Sequence, residues 1–335
     1  MSDIQEISTN DIKKYQESST RESWCYQHLT NDLENIDITG WTKVSDLPEP
    51  LYNFQAITTK NYVYLLGGLK ENIVTKTVYT ATINNDGTLG GWISVDSLPE
   101  PLYAFKAIVI KNRVYLLGGN NSSFKTVSTV YTTTIDDDGI LGNWSLATSL
   151  PIPLSFSQVV VTKNRVYLIG GYNGINFINS IYAAKINSDG TLENWEFIDV
   201  LPKTVYIPSV IIIGNRVYLT RGLDGLEVYT TTINDNGRLG LWTVNNFLPD
   251  ILACSQAIVT KNRVYLLGGR NNSTIVDTVF TAPINTDGTL GLWTTDTPLP
   301  TPLSSTQAVV TNRHIYLLGG YGKTGSVSSI FMANF

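Results

Sequence analysis

Six polar residues recur at one equivalent position along the chain: Gln55, Lys106, Gln158, Ser209, Gln256 and Gln307. Three residues before each stand Tyr52, Tyr103, Ser155, Tyr206, Ala253 and Ser304. Amides beside aromatic rings suit a sugar or small polar ligand, since a ring covers an apolar face while amides exchange hydrogen bonds with hydroxyls. The same column also reads as a solvated lining whose amides are bridged by water. Arg221 is a second outlier, because it occupies a position that holds glycine in the other repeats. Asp224 and Glu227 follow it closely, so it is either a binding charge at a locally irregular site or half of an ordinary ion pair.

Catalytic chemistry finds less support. The chain has two histidines, His28 and His314. Cys25 and His28 would supply two metal ligands where structural zinc takes four, so no metal and no cofactor are expected. No nucleophile-elbow, phosphate-loop or zinc-protease string occurs. Glu49 and Glu100 form a carboxylate pair only on repeat-equivalent loops. A net charge of -5 without a basic patch argues against nucleic acid. No apolar run reaches 18 residues, so no membrane span is expected. The segment MSDIQEISTNDIKKYQESST lacks the pattern of a signal peptide. A cytoplasmic or assembly-associated location is therefore expected. Cys25 and Cys254 read as free thiols in a reducing compartment, with a single disulfide as the alternative.

The elements that must position these residues are repeats. A Tyr-Leu-Leu-Gly-Gly string or close variant starts at Tyr64, Tyr115, Tyr167, Tyr218, Tyr265 and Tyr316. Tryptophans keep step with it at Trp41, Trp92, Trp144, Trp195, Trp242 and Trp293. Turns such as Asp86-Gly87 and Asp287-Gly288 precede most of them. Val, Ile, Tyr and Thr crowd the segments between, while Gly, Asn, Asp and Pro separate them. Each unit of about 50 residues therefore reads as four short antiparallel strands, the content of a propeller blade. The paired glycines mark a point of close backbone approach.

A hydrophobic run, a Gly-Gly doublet, an aromatic column (Tyr79, Tyr131, Tyr182, Tyr229, Phe280, Phe331) and then Trp resemble the Kelch repeat, in its bacterial or viral form. The resemblance covers residues 37–335 and implies an all-β, six-bladed β-propeller. The region opens with a lone outer-strand segment around Trp41 and ends on a third-strand segment at Phe335. The N-terminal strand is thus expected to complete the last blade, which removes two exposed edges. The Trp column is expected to be core.

Residues 1–36 lie outside the repeat and are read as a partly helical arm that either packs on the propeller or docks on another protein, with a helix over 20–33 capped by Ser19 and Glu22. Tyr15, Trp24 and Tyr26 are its candidate partner contacts. The leading functional expectation is a non-enzymatic interaction or structural module that meets protein partners through this arm and the loop faces. It would be a subunit of a larger assembly, such as a phage particle. A glycan-binding module is the first alternative. A carbohydrate-active enzyme similar to the Kelch-type sialate mutarotases is the second.

Overall fold

The computed structural model describes residues 37–335, and every expectation placed on residues 1–36, including Tyr15, Trp24, Tyr26 and Cys25, lies outside the described residues. Six four-stranded antiparallel sheets form the blades of a ring. Blade 1 consists of Gln55–Thr58, Tyr62–Lys70, Ile73–Thr82 and Ile93–Val95, from the axis outward. Blades 2 to 5 repeat this order from inner strands Lys106–Ile110, Gln158–Val161, Val210–Ile213 and Gln256–Val259. Blade 6 has Gln307–Val310, Ile315–Leu318 and Ser329–Asn334, and its outer strand is Gly40–Asp46 from the start of the repeat region. That strand pairs antiparallel with Ser329–Asn334, from Gly40 opposite Asn334 to Asp46 opposite Ser329. Among the described residues no helix is long and apolar enough to cross a membrane.

The core is divided among the seams. Among the described residues there are six buried apolar clusters, and each draws on two neighbouring blades. Between blades 1 and 2, for example, Ile57, Tyr64, Leu66 and Val78 meet Leu98, Leu102, Phe105 and Leu116. A blade is buried on both faces, so its second strand is apolar at nearly every position, as in Val63 to Leu66. The first glycine of each doublet lets neighbouring blades approach. A Cβ at Gly67, where φ is +55°, would stand 2.6 Å from the Leu102 carbonyl oxygen of the next blade. The tryptophan column is less uniform than expected. Trp41, Trp195 and Trp293 are buried, whereas Trp92, Trp144 and Trp242 are half-buried, because the outer strand is the least covered of the four.

Hydrogen bonds between blades reinforce these seams. The tyrosine that opens each Tyr-Leu-Leu-Gly-Gly string reaches the glycine turn of the following blade. Tyr64 donates to Gly139 O at 3.2 Å, Tyr115 to Gly190 O at 2.9 Å and Tyr167 to Gly237 O at 2.9 Å. Tyr218 donates to Gly288 O at 3.2 Å, and Tyr316 to Gly87 O at 3.4 Å. Blade 6 has no such turn, because its outer strand comes from the other end of the repeat region. Tyr265 instead accepts a bond from Ile38 N at 3.2 Å and donates to Asp37 Oδ1 at 3.4 Å. Arg263 adds an ion pair to Asp37 at 3.3 Å.

Candidate functional site

The six innermost strands and the residues just before them surround an axial cavity of about 310 Å³. The cavity wall is entered at Asn53, Ala104, Phe156, Ile207, Cys254 and Ser305. All six have φ between 51° and 54°, and none is glycine. Left-handed backbone is costly for such residues, above all for β-branched Ile207, and persists only where surrounding structure enforces it. The ring supplies that enforcement through a collar of backbone bonds between blades. Asn53 N donates to Ser305 O, Ala104 N to Asn53 O, Phe156 N to Ala104 O, Cys254 N to Ile207 O and Ser305 N to Cys254 O. Among the described residues the sixth link, from Ile207 to Phe156, is not made, so the collar opens between blades 3 and 4.

Inside the collar the structure places Gln55, Lys106, Gln158, Ser209, Gln256 and Gln307 together on the cavity wall. Most of these side chains link neighbouring blades. Gln55 Oε1 accepts from Ala107 N of blade 2 at 3.2 Å, and Gln307 Oε1 accepts from Ala56 N of blade 1 at 3.4 Å. Gln158 Nε2 donates to Pro208 O of blade 4 at 2.5 Å. Ser209 Oγ donates to Ser255 O at 3.0 Å, and Gln256 Nε2 bonds within its own blade to Ala257 O at 3.0 Å. An innermost strand has no further strand on its axial side, so its outward backbone groups need other partners. The amides supply them, where the sequence alone suggested bridging water. Lys106 departs from this pattern. Its amine meets no carboxylate among the described residues, and burial alone pushes its pKa down to about 8.

Tyr52, Tyr103 and Tyr206 sit half-buried at the rim, at the end where first and second strands of each blade bridge, as Tyr52 does to Leu69. Other aromatics join them. Tyr52 and Tyr321 have ring centroids 4.8 Å apart, and Phe177 and Tyr206 are likewise 4.8 Å apart. Tyr103 lies 5.9 Å from Phe124 and 6.5 Å from Phe156. Phe124, Phe156, Phe177 and Tyr321 are rim residues that repeat counting did not single out, because their positions carry other residue types in other blades.

Arg221 is occupied locally. Its Nη1 donates to both Glu227 oxygens at 3.0 Å, and its Nη2 pairs with Asp224 at 2.5 Å. Lys203 also reaches Glu227, at 3.2 Å. Arg221 avoids positive φ, and blade 4 lacks the bulge at the doublet that blades 1, 3 and 5 carry. Tyr206 then bridges Gly222 in parallel, where the other blades bridge antiparallel. The two carboxylates noted on equivalent loops are also engaged. Glu100 accepts from Tyr131 at 3.0 Å, and Glu49 pairs with Lys70 at 3.0 Å. Burial, followed by Glu100, pushes the Tyr131 phenol up to about 12.

Six blades, glycine doublets at the seams and an axial cavity define the class: the chain is a six-bladed β-propeller that carries a Kelch motif and is similar to Kelch-repeat proteins. The Kelch motif family matches residues 153–183 directly. The chain is similar to human Kelch-like protein 38, at 24% identity over 218 residues, covering 63% of this chain and 34% of that protein. It is also similar to Kelch repeat and BTB domain-containing protein 1 of camelpox virus, at 21% identity over 192 residues, covering 56% and 32%. It thus spans about a third of the length of these relatives. Among solved structures, YjhT superposes with a TM-score of 0.69 at 14% identity, covering 86% of this chain and 95% of that one, which is a likeness of fold.

Proposed function

We propose that this propeller is a non-catalytic interaction module that receives a protein partner on the rim carrying Tyr52, Tyr103 and Tyr206. The observation behind this reading is the apolar and aromatic character of that rim. Phe124 is 57% exposed and Ile175 78% exposed on the loops beside the ring pairs. Clustered aromatics at a loop-bearing face are the composition of a protein interface, and large exposed apolar side chains are otherwise a liability. Kelch-repeat propellers typically bind proteins, and in this reading the partner belongs to a larger assembly, such as a phage particle. The test is affinity capture with the full chain and with a Phe124→Ala, Ile175→Ala variant of unchanged circular dichroism. The variant should lose the wild-type partner. An identical captured set would place the interface elsewhere.

A second reading is favoured by the half-buried tyrosines around the amide-lined mouth, which suit a glycan. Binding on a glycan array that disappears with Tyr52→Ala, Tyr103→Ala and Tyr206→Ala would support it in place of the first.

A further inference from the structure

Lys106 is the charged member of the ring of six equivalent residues on the cavity wall, and two of its equivalents show what that position can do. Gln307 and Gln55 each pass an amide oxygen to the backbone N–H one residue into the next inner strand, at Ala56 and Ala107. The corresponding group at the next seam is Val159 N–H, which also lines the cavity. The residue placed to serve it is Lys106, which has only donors to offer. Gln158, Ser209 and Gln256 also leave the equivalent N–H groups of Val210, Ala257 and Ala308 without that bond, so what sets the Lys106 segment apart is an ammonium that meets no counter-charge among the described residues. Lys106 is also the sole charged side chain among the residues lining the cavity; the others are amides, hydroxyls, small apolar groups and the aliphatic and aromatic walls. The other titratable group on the wall is the Cys254 thiol, which burial pushes up to about 11 and so keeps neutral.

We propose that the axial cavity binds a small monocarboxylate, with one oxygen on the Lys106 ammonium and the carboxylate replacing the glutamine oxygen missing at Val159 N–H. Charge selects the class. A single cation balances a single negative charge, and a phosphate dianion would need a second cation that the wall does not have. Size agrees, since the cavity falls at the lower end of the roughly 300–1,000 Å³ of small-molecule sites. The assignment goes beyond the partner reading and rests on none of the rim residues, so either can fail alone.

The test uses the full chain, with sodium acetate as probe, acetamide as the neutral molecule of the same shape and inorganic phosphate as the dianion. Amide NMR reports on Val159, and titrations fix the affinity. Acetate should shift the Val159 signal saturably, at least about tenfold more tightly than acetamide or phosphate. Lys106→Gln supplies the residue present at four of the six positions, and Lys106→Met keeps the length without the charge. Both should lose acetate affinity by about tenfold or more. Because the ammonium is required, wild-type affinity should fall about tenfold per pH unit above the point where Lys106 deprotonates. The proposal is overturned by no saturable acetate response, by equal binding of acetamide or phosphate, or by retained acetate affinity in both variants.

Discussion

Replacing Trp41 by alanine tests whether the N-terminal strand is an integral part of the ring. Trp41 is 8% exposed and packs at the seam of blades 5 and 6 with Ile38, Tyr265, Leu299, Leu303 and Phe331. Its strand is held to the last strand along its length, with Trp41 opposite Ala333. An indole buries about 200 Å², worth about 5 kcal/mol at about 25 cal/mol per Å² as an upper bound. Measured Trp→Ala losses in cores run about 3–5 kcal/mol, so about 4 kcal/mol is expected. At about 2.1 cal/mol/K per residue, unfolding some 300 residues together has an entropy near 0.6 kcal/mol/K. The melting temperature should then fall by about 6 °C in one cooperative transition. Scanning calorimetry on the full chain measures this, with Trp92→Ala, at a half-buried equivalent position, expected to cost about half as much. A shift below about 1 °C for Trp41→Ala, or a minor early transition with the main one unmoved, would refute the closure argument.

The clasping tyrosines make a graded prediction. Tyr115→Phe leaves Gly190 O without its phenol, whereas after Tyr167→Phe the Gly237 carbonyl keeps Thr162 Oγ1 at 3.2 Å. Urea unfolding should show a loss of about 1–2 kcal/mol for Tyr115→Phe and a smaller one for Tyr167→Phe. Arg221→Gly leaves Glu227 with only the exposed Lys203 as partner, and a loss of about 1–2 kcal/mol is expected, with part regained in the double variant carrying Glu227→Gln. Lys106→Gln should stabilise the protein at neutral pH by about 2 kcal/mol, since the folded state holds the amine at about 8 against an unfolded value of about 10.5. The unfolded chain binds the extra proton between those two values, so wild-type stability rises with pH there, and the advantage of the variant should shrink from pH 8 to 10.5. Paired melts across that range check the sign, and an advantage that grows with pH would contradict it.

How much could be read in advance differed between residues for physical reasons. The blade is a locally encoded object. Its Asp-Gly turns need positive φ, which Gly87 and Gly288 take at 83° and 77°, and its doublets need the absence of a Cβ at the seam. Those demands fall on single residue types at fixed spacing, so they show as columns. The order of the columns likewise indicated that the segment around Trp41 would pair with the one ending at Phe335, as Gly40–Asp46 does with Ser329–Asn334. Arg221 was also interpretable locally, because both of its carboxylate partners lie within six residues of it.

The collar left no such trace. Asn, Ala, Phe, Ile, Cys and Ser occupy its six left-handed positions, and only Asn53 is a type that favours that conformation. There the constraint comes from the neighbouring blade, through bonds such as Ala104 N to Asn53 O, and it acts on backbone whatever the side chain. The same holds for the cavity. Repeat spacing alone identified the recurring glutamines and the lysine among them, along with the six blades that carry them. Only bringing six strands from across about 250 residues around one axis decided that the amides would serve neighbouring backbones and that no acid would face Lys106. Local chemistry is written in neighbouring residues, whereas the charge balance of a central cavity is a sum over contributions distant in sequence.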